Sequence, residues 1–164
     1  AAGAMRDPNH LSDYHHYREQ LEVLEKKRLA HYFEFVPRGE KYYKVMAICD
    51  FIVLPSIDET QSGTLARIIA LNKPYITTAP MEGLTAQTLD SVGGLLFTTK
   101  KRLRDQVIMM ACDENLRMRL GENLKKYLEE VVSWEVVADQ YNGAYEMARQ
   151  SMASGQAVNL PPEF

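Results

Sequence analysis

Apolar residues along this chain follow two patterns, short continuous runs and positions that repeat every three or four residues. The run Phe51–Leu54 is typical of a parallel strand buried on both faces. Repeated positions between such runs predict amphipathic helices. The predicted strands are 32–36, 51–54, 75–78 and 95–98, and the predicted helices before and between them are 14–30, 41–48 and 63–71. Strands that alternate with helices predict an α/β domain, a Rossmann-like parallel sheet with flanking helices.

The chain after the last predicted strand has a helical pattern. Thr99, Asp113 and Ser133 each precede an amphipathic segment and are predicted N-caps of three consecutive helices. No periodicity follows the third helix. We therefore expect an N-terminal loop or tag remnant at 1–13, one domain at 14–149 and a flexible tail at 150–164.

Composition narrows the class of protein. The chain has 164 residues and a formal net charge of −3, which suits one globular domain and disfavours a nucleic-acid partner. Its apolar stretches are far shorter than the ~20 residues that span a bilayer, so we do not expect a transmembrane protein. Cys49 and Cys112 lie in apolar surroundings, the pattern of buried thiols in a reducing compartment, which predicts a cytoplasmic location.

The segment after the predicted strand Phe51–Leu54 is the strongest candidate for a binding site, because ligands bind beyond the carboxyl ends of parallel strands. Asp58 and Glu59 would lie at the mouth of this strand, and backbone N–H groups at 62–64 would point toward a bound anion. A phosphate there, beside a carboxylate on a sugar hydroxyl, would form a nucleotide-sugar site. In the simpler interpretation, which local sequence alone favours, Ser62 only caps a helix and both carboxylates are solvated.

Two further candidates are weaker. Arg38 follows a predicted strand and could meet a base or a phosphate, although a turn residue is the simpler interpretation. His15 and Glu19 lie one helical turn apart, but without a third ligand at a defined spacing a surface helix is favoured over a metal site.

Several short motifs follow one another along the chain. No single motif is specific, but their order and spacing together are. The motifs are Asp50-Phe51-Ile52-Val53-Leu54-Pro55-Ser56 with Glu59, Asn72-Lys73-Pro74, Gly94-Leu95-Leu96-Phe97 and Ser133-Trp134. Over about residues 18–148 this order resembles the C-terminal, nucleotide-sugar-binding domain of retaining GT-B glycosyltransferases of family 4 and their glycogen-synthase-like relatives.

The resemblance implies roles for the residues that follow the strand. Glu59 would contact the transferred sugar and is the implied catalytic residue. The resemblance also implies a phosphate-binding turn at residues 60–64. Together with the candidates from the local sequence, the predicted donor-binding residues are Ser56, Asp58, Thr60, Gln61, Ser62, Gly63, Thr64, Arg67 and Arg38. The donor would be a UDP-, GDP- or ADP-linked sugar, and neither a metal nor another cofactor is implied.

Arg67 departs from the family pattern, which has at this position a glutamate that binds the ribose hydroxyls. A guanidinium only donates hydrogen bonds, so it cannot accept them from a diol, but it can pair with a phosphate. An alternative of equal weight is a surface substitution in a domain whose activity has lapsed.

The resemblance also implies two upstream strands, which carry an Arg and a Lys for the diphosphate, and an N-terminal domain for the acceptor. In the strand order 3-2-1-4-5-6, Tyr32–Val36 would be strand 3 and Phe51–Leu54 strand 4. We therefore expect a fragment of a longer protein, or a partner chain that supplies the strands.

The implied reaction is transfer of a sugar from a nucleotide sugar with retention of anomeric configuration. The main alternative is a non-catalytic, glycosyltransferase-like module with a degenerate donor site, used for binding or assembly. A third interpretation is a phosphorylase-like or sugar-phosphate enzyme that uses Arg67 on phosphate.

Overall fold

The computed structural model describes residues 9, 11–33, 39–55, 62–79 and 92–154. The chain divides into two compact units, Ala1–Val45 and Met46–Phe164.

The first unit contains α1, Leu11–Lys26, and most of α2, Glu40–Ala47. Helix α1 begins three residues before its predicted start, so Asp13 lies in its first turn and is not its cap. Arg28 ends it in the left-handed region at φ 57°, and the N–H of Leu29 donates to the Leu24 carbonyl at 2.9 Å. Of the predicted strand 32–36, residues 34–36 lie outside the described residues.

The second unit is built on a parallel sheet of three described strands in the order β1-β2-β3. The strands are β1, Ile52–Leu54; β2, Tyr75–Thr78; and β3, Gly94–Phe97. Ile52 of β1 is aligned with Tyr75 of β2, and Tyr75 is aligned with Gly94 of β3. This sheet and its flanking helices confirm the predicted Rossmann-like α/β class.

The prediction that β1 is buried on both faces is wrong. Val53 in the middle of β1 is 38% exposed, whereas Tyr75, Ile76 and Thr77 of β2 are completely buried. The reason is position in the sheet, because β2 lies between two strands and β1 is the edge of the described sheet.

The second unit has four described helices, one between β1 and β2 and three after β3. Where these helices begin agrees with the predicted caps. They are α3, Gly63–Ala70; α4, Lys100–Cys112; α5, Glu114–Glu130; and α6, Trp134–Ser154. Thr99, Asp113 and Ser133 accept the backbone N–H three residues on at 3.2, 2.9 and 3.2 Å, which confirms all three as caps. Helix α6 continues well past Tyr145, the last apolar position in its predicted pattern.

The main core of the second unit lies between the sheet and the helices α4 and α5. Its buried residues are Ile76, Phe97, Met110, Leu116 and Leu120. The predicted environment of one cysteine is wrong: Cys49 is half-buried, but Cys112, at the end of α4, is exposed.

Gly94 allows β3 to lie close to the largest buried side chain of β2, Tyr75. A Cβ at Gly94 would overlap the ring of Tyr75, and one at Gly93 would overlap the side chain of Leu124. The glycine pair therefore leaves space for two large buried side chains.

Candidate functional site

All three strands run in the same direction, so their carboxyl ends lie at one edge of the sheet, here called the carboxyl edge. Leu54 ends β1, Thr78 ends β2 and Phe97 ends β3 at this edge. Helix α3 follows β1 and helix α4 follows β3, so both helices begin on this side of the sheet. In open parallel sheets this is the edge where ligands bind.

Ser62 fixes the beginning of α3. Its Oγ accepts a hydrogen bond from the Leu65 N–H at 3.2 Å, and its carbonyl accepts one from the Ala66 N–H at 3.1 Å. The Ser62 residue is only 2% exposed, and Leu65 and Ile68 behind it are completely buried. The helix N-terminus is therefore held in place by packing and by its cap.

Gly63 and Thr64 are the first two residues of α3, where backbone N–H groups point out of the helix toward its N-terminal side. The helix macrodipole adds a partial positive charge at the same place. This end of α3 can attract an anion, as helix N-termini in α/β proteins commonly do.

The guanidinium of Arg67 reaches back toward this helix start. Its Nη1 lies 3.7 Å from the position that a Cβ on Gly63 would occupy. Helical side chains point toward the N-terminus, which explains how a residue one turn later can lie beside residue 63. A full positive charge therefore lies next to the first turn of α3, with five N–H donors suited to a phosphate.

A second cluster lies at the end of β3, and sequence reasoning missed it. The Leu96 carbonyl accepts hydrogen bonds from Gln106 Nε2 at 2.8 Å and from Arg102 Nε at 3.2 Å. Gln106 is buried and Arg102 is exposed in the first turn of α4. One sequence feature could have indicated this cluster. Helix α4 opens with a basic run and has no acidic residue in its first turn, although cations are disfavoured at that end of a helix.

Thr77 connects the two strands at the same edge. Its Oγ1 donates to the Leu54 carbonyl at 2.9 Å, and the residue is completely buried. The bond fixes the last residue of β1 directly before the segment that leads to α3. In the sequence Thr77 is only one position of the predicted strand 75–78, because a side-chain hydroxyl in a strand gives no sign of its partner.

Among the residues that the structure describes, no group of three or more His, Cys, Asp or Glu side chains could hold a metal ion. No helix in the same part of the chain is both long and apolar enough to cross a membrane.

Residues 10–127 match the sequence model of the family Glycosyl transferases group 1. The chain belongs to this family. The match extends over both units and includes β1, β2, β3 and the start of α3.

Two known proteins are similar to this group 1 glycosyltransferase chain. An uncharacterised glycosyltransferase of Methanocaldococcus jannaschii is 28% identical over 134 residues, which are 79% of this chain and 37% of that protein. The structure of sucrose-phosphate synthase from Thermosynechococcus elongatus has a TM-score of 0.60 at 23% identity, covering 93% of this chain and 38% of that one. The second likeness shows the fold only. The chain spans less than two fifths of either protein.

The structure describes only part of the predicted site of this group 1 glycosyltransferase chain. It brings Ser62, Gly63, Thr64 and Arg67 together at the start of α3. The remaining predicted residues lie outside the described residues; they are Arg38, Ser56, Asp58, Glu59, Thr60 and Gln61. The helix start at Gly63 with its Ser62 cap is therefore present in the structure, and both phosphate binding there and the sugar-contacting positions stay predictions.

Proposed function

We propose that this chain is the donor-binding domain of a retaining GT-B glycosyltransferase of family 4. It would take its sugar from a UDP-, GDP- or ADP-linked donor. The observation that carries the proposal is the Arg67 guanidinium beside the capped start of α3, at the carboxyl edge of a group 1 glycosyltransferase chain. The domain would comprise residues 14–149, in a cytoplasmic protein.

The proposed reaction breaks the bond between the anomeric carbon and the donor diphosphate, so negative charge grows on the leaving diphosphate. The first N–H groups of α3 and the guanidinium of Arg67 would stabilise this charge. Because the cap and the buried residues behind it hold the start of α3 in position, its N–H groups need little rearrangement during the reaction. Glu59 would orient the transferred sugar, and no metal is required in this scheme.

The acceptor would be bound elsewhere, by a further domain of a longer protein or by a partner chain. This agrees with the share of the relatives that the chain covers, 37% and 38%. The same further part would supply the strands that the resemblance to family 4 implies upstream of β1.

Arg67 itself favours a second candidate, a non-catalytic glycosyltransferase-like module used for binding or assembly. The resemblance implies a ribose-binding carboxylate at this position, and a guanidinium cannot accept hydrogen bonds from the ribose hydroxyls. Such a module would keep the fold and the anion-binding helix start but would not bind a complete nucleoside diphosphate.

Calorimetric titration of the protein with UDP, GDP and ADP distinguishes the two candidates. The donor-binding proposal expects saturable binding of one diphosphate, and weaker binding of the matching monophosphate because fewer phosphate oxygens reach α3 and Arg67. Arg119→Ala, which removes an exposed cation on α5, serves as the matched control and should leave binding unchanged. If none of the three diphosphates binds, the donor-binding proposal is wrong and the module remains.

The variant Arg67→Glu separates a working donor site from a lapsed one. In a working site that uses Arg67 on phosphate, the new carboxylate repels the diphosphate and lowers affinity. In a lapsed site the same change creates or strongly raises affinity, because it restores an acceptor for the ribose.

A further inference from the structure

The last helix, α6, carries a stripe of large apolar side chains on its exposed surface. The four residues and their exposed fractions are Trp134 86%, Tyr141 61%, Tyr145 69% and Met152 86%. At 100° per residue the four positions lie within about 40° of one another, so they form one straight line along the helix. We call these four residues the α6 stripe. Contiguous apolar surface of this kind marks an interaction site.

Helix α6 also has a half-buried apolar side, which lies beside the stripe. Val136, Val137, Ala144 and Met147 are half-buried, while no residue of α6 is fully buried. Val137 lies about 40° from Tyr141 around the helix, and the other three lie about 60° or more from every residue of the stripe. The half-buried side therefore borders the stripe, and the described residues cover that side and leave the stripe exposed.

The spacing of the stripe is symmetric. Trp134 and Tyr141 are seven residues apart, Tyr141 and Tyr145 four, and Tyr145 and Met152 seven. The two exposed small residues beside the stripe, Ala138 and Ala148, obey the same symmetry. Every pair is centred on position 143. Read in either direction, the surface has the same order of large, small, large, large, small and large side chains.

A second copy of α6, laid antiparallel across a twofold axis near position 143, would match this surface. Each Trp134 would meet Met152 of the other copy, and each Tyr141 would meet Tyr145. Ala138 would oppose Ala148, where small side chains let the helices approach. A twofold interface requires a self-complementary surface, and the α6 stripe has that property.

Charges beside the stripe fit the same arrangement. Glu135 and Arg149 are both exposed and lie along the same side of the stripe, with Asn142 midway between them. In an antiparallel pair the matching sides of the two helices face each other. Glu135 of one copy would therefore lie near Arg149 of the other, twice per dimer, and the two Asn142 side chains would face one another.

We infer that α6 is a homodimerisation helix that pairs antiparallel with α6 of a second copy through the α6 stripe. The proposal is independent of the proposed function. The aromatic residues of both copies together would bury on the order of 1,000 Å². This is near the lower limit for a specific interface, so we expect a dissociation constant in the micromolar range.

Sedimentation equilibrium of the protein over a range of concentrations tests the proposal. We expect a monomer–dimer equilibrium, and Tyr141→Ala or Tyr145→Ala should raise the dimer dissociation constant by about tenfold or more, since each change acts twice in the interface. Gln150→Ala, an exposed change on the opposite side of α6, should leave the constant unchanged. Circular dichroism checks that the helix content is the same. A protein that stays monomeric at every concentration, or a dimer indifferent to both tyrosine changes, overturns the proposal.

Charge reversal tests the antiparallel register. Because Glu146 already holds Arg149 at 3.0 Å within the helix, all variants are made in a Glu146→Gln background. Glu135→Arg and Arg149→Glu should each weaken the dimer about threefold or more, and the double variant should restore it. The two positions are about 21 Å apart along one helix, so rescue must act between copies. Absence of rescue, or a stripe that binds only a different protein, contradicts the proposed pairing.

Discussion

Arg67 lies against Gly63, with its Nη1 3.7 Å from the place where a Cβ on Gly63 would be. This is an ordinary van der Waals distance, so the guanidinium rests beside the helix start without crowding it. Arg67 is exposed, whereas Ser62, directly before Gly63, is buried. A buried cap and an exposed cation therefore meet at the first turn of α3.

The cation should contribute to anion binding and not to folding. We expect Arg67→Ala to weaken nucleoside diphosphate binding by about tenfold or more, the range for loss of a hydrogen bond to a charged group. The free energy of unfolding should change by less than about 0.5 kcal/mol, because the side chain is exposed. Calorimetric titration and urea unfolding measure the two effects. A loss of stability without a loss of affinity would show that Arg67 is structural.

The cap of α3 should contribute to stability. Ser62→Ala removes the acceptor of the Leu65 N–H, so we expect the free energy of unfolding to fall by about 1 kcal/mol. Ser62→Asn, which also caps helices well, serves as the control and should lose less. Urea unfolding of the three proteins gives the comparison. Equal stability of the serine and alanine proteins would mean that the cap contributes nothing here.

Gly94 and Gly143 should respond to alanine with opposite signs. A Cβ at Gly94 would overlap the buried ring of Tyr75, so we expect Gly94→Ala to lower the free energy of unfolding by about 2 kcal/mol or more. Gly143 in α6 has no atom within 4 Å of its Cβ position, so Gly143→Ala should raise it by up to about 1 kcal/mol. Thermal unfolding of both variants provides the measurement. Similar effects at the two positions would contradict the packing of β3 on Tyr75.

Asn72 ends α3 in the left-handed region, at φ 53°. Its N–H donates to the Ile69 carbonyl at 2.9 Å, and the Lys73 N–H donates to the Ile68 carbonyl at 3.1 Å, the pattern of a Schellman cap. We therefore expect Asn72→Gly to be more stable than Asn72→Ala by about 1 kcal/mol, because only glycine adopts this conformation without cost. At Ala66, inside the same helix, Ala66→Gly should reduce stability instead. Urea unfolding measures both pairs, and an alanine variant at position 72 as stable as the glycine variant would rule out the left-handed cap.

Local features of the sequence were sufficient to place most secondary structure of the second unit. Pro74 and the pair Gly93-Gly94 bound the strands β2 and β3, and side-chain oxygens at Thr99, Asp113 and Ser133 start the last three helices. These signals act within a few residues of the chain, through fixed φ angles and caps, so they can be recognised without a structure. The parallel α/β class followed from the alternation of the elements.

The candidate site was predictable in outline only. The start of α3 at Gly63 followed from Ser62 and from the periodicity after it, and the resemblance to family 4 identified Arg67 as unusual. The sequence did not show that Arg67 extends back to Gly63, because the residue type does not specify the direction of a long side chain. The hydrogen bonds from Gln106 and Arg102 to the Leu96 carbonyl were not predicted, because every residue has a backbone carbonyl and the sequence does not show which one accepts a side chain.

The sequence by itself determined, to within one residue, where the described strands and helices of the second unit begin, because those limits depend on neighbouring residues. Only the tertiary structure decided which strand is central, since the apolar run of β1 is compatible with either position in a sheet and the neighbouring strands cover β2. The tertiary structure also decided which polar residue is buried and which apolar residue is exposed. Burial of Thr77 is possible because the Leu54 carbonyl accepts its hydrogen bond. Trp134 is exposed because no described residue covers its side of α6. Burial and partnership arise from contacts between distant parts of the chain.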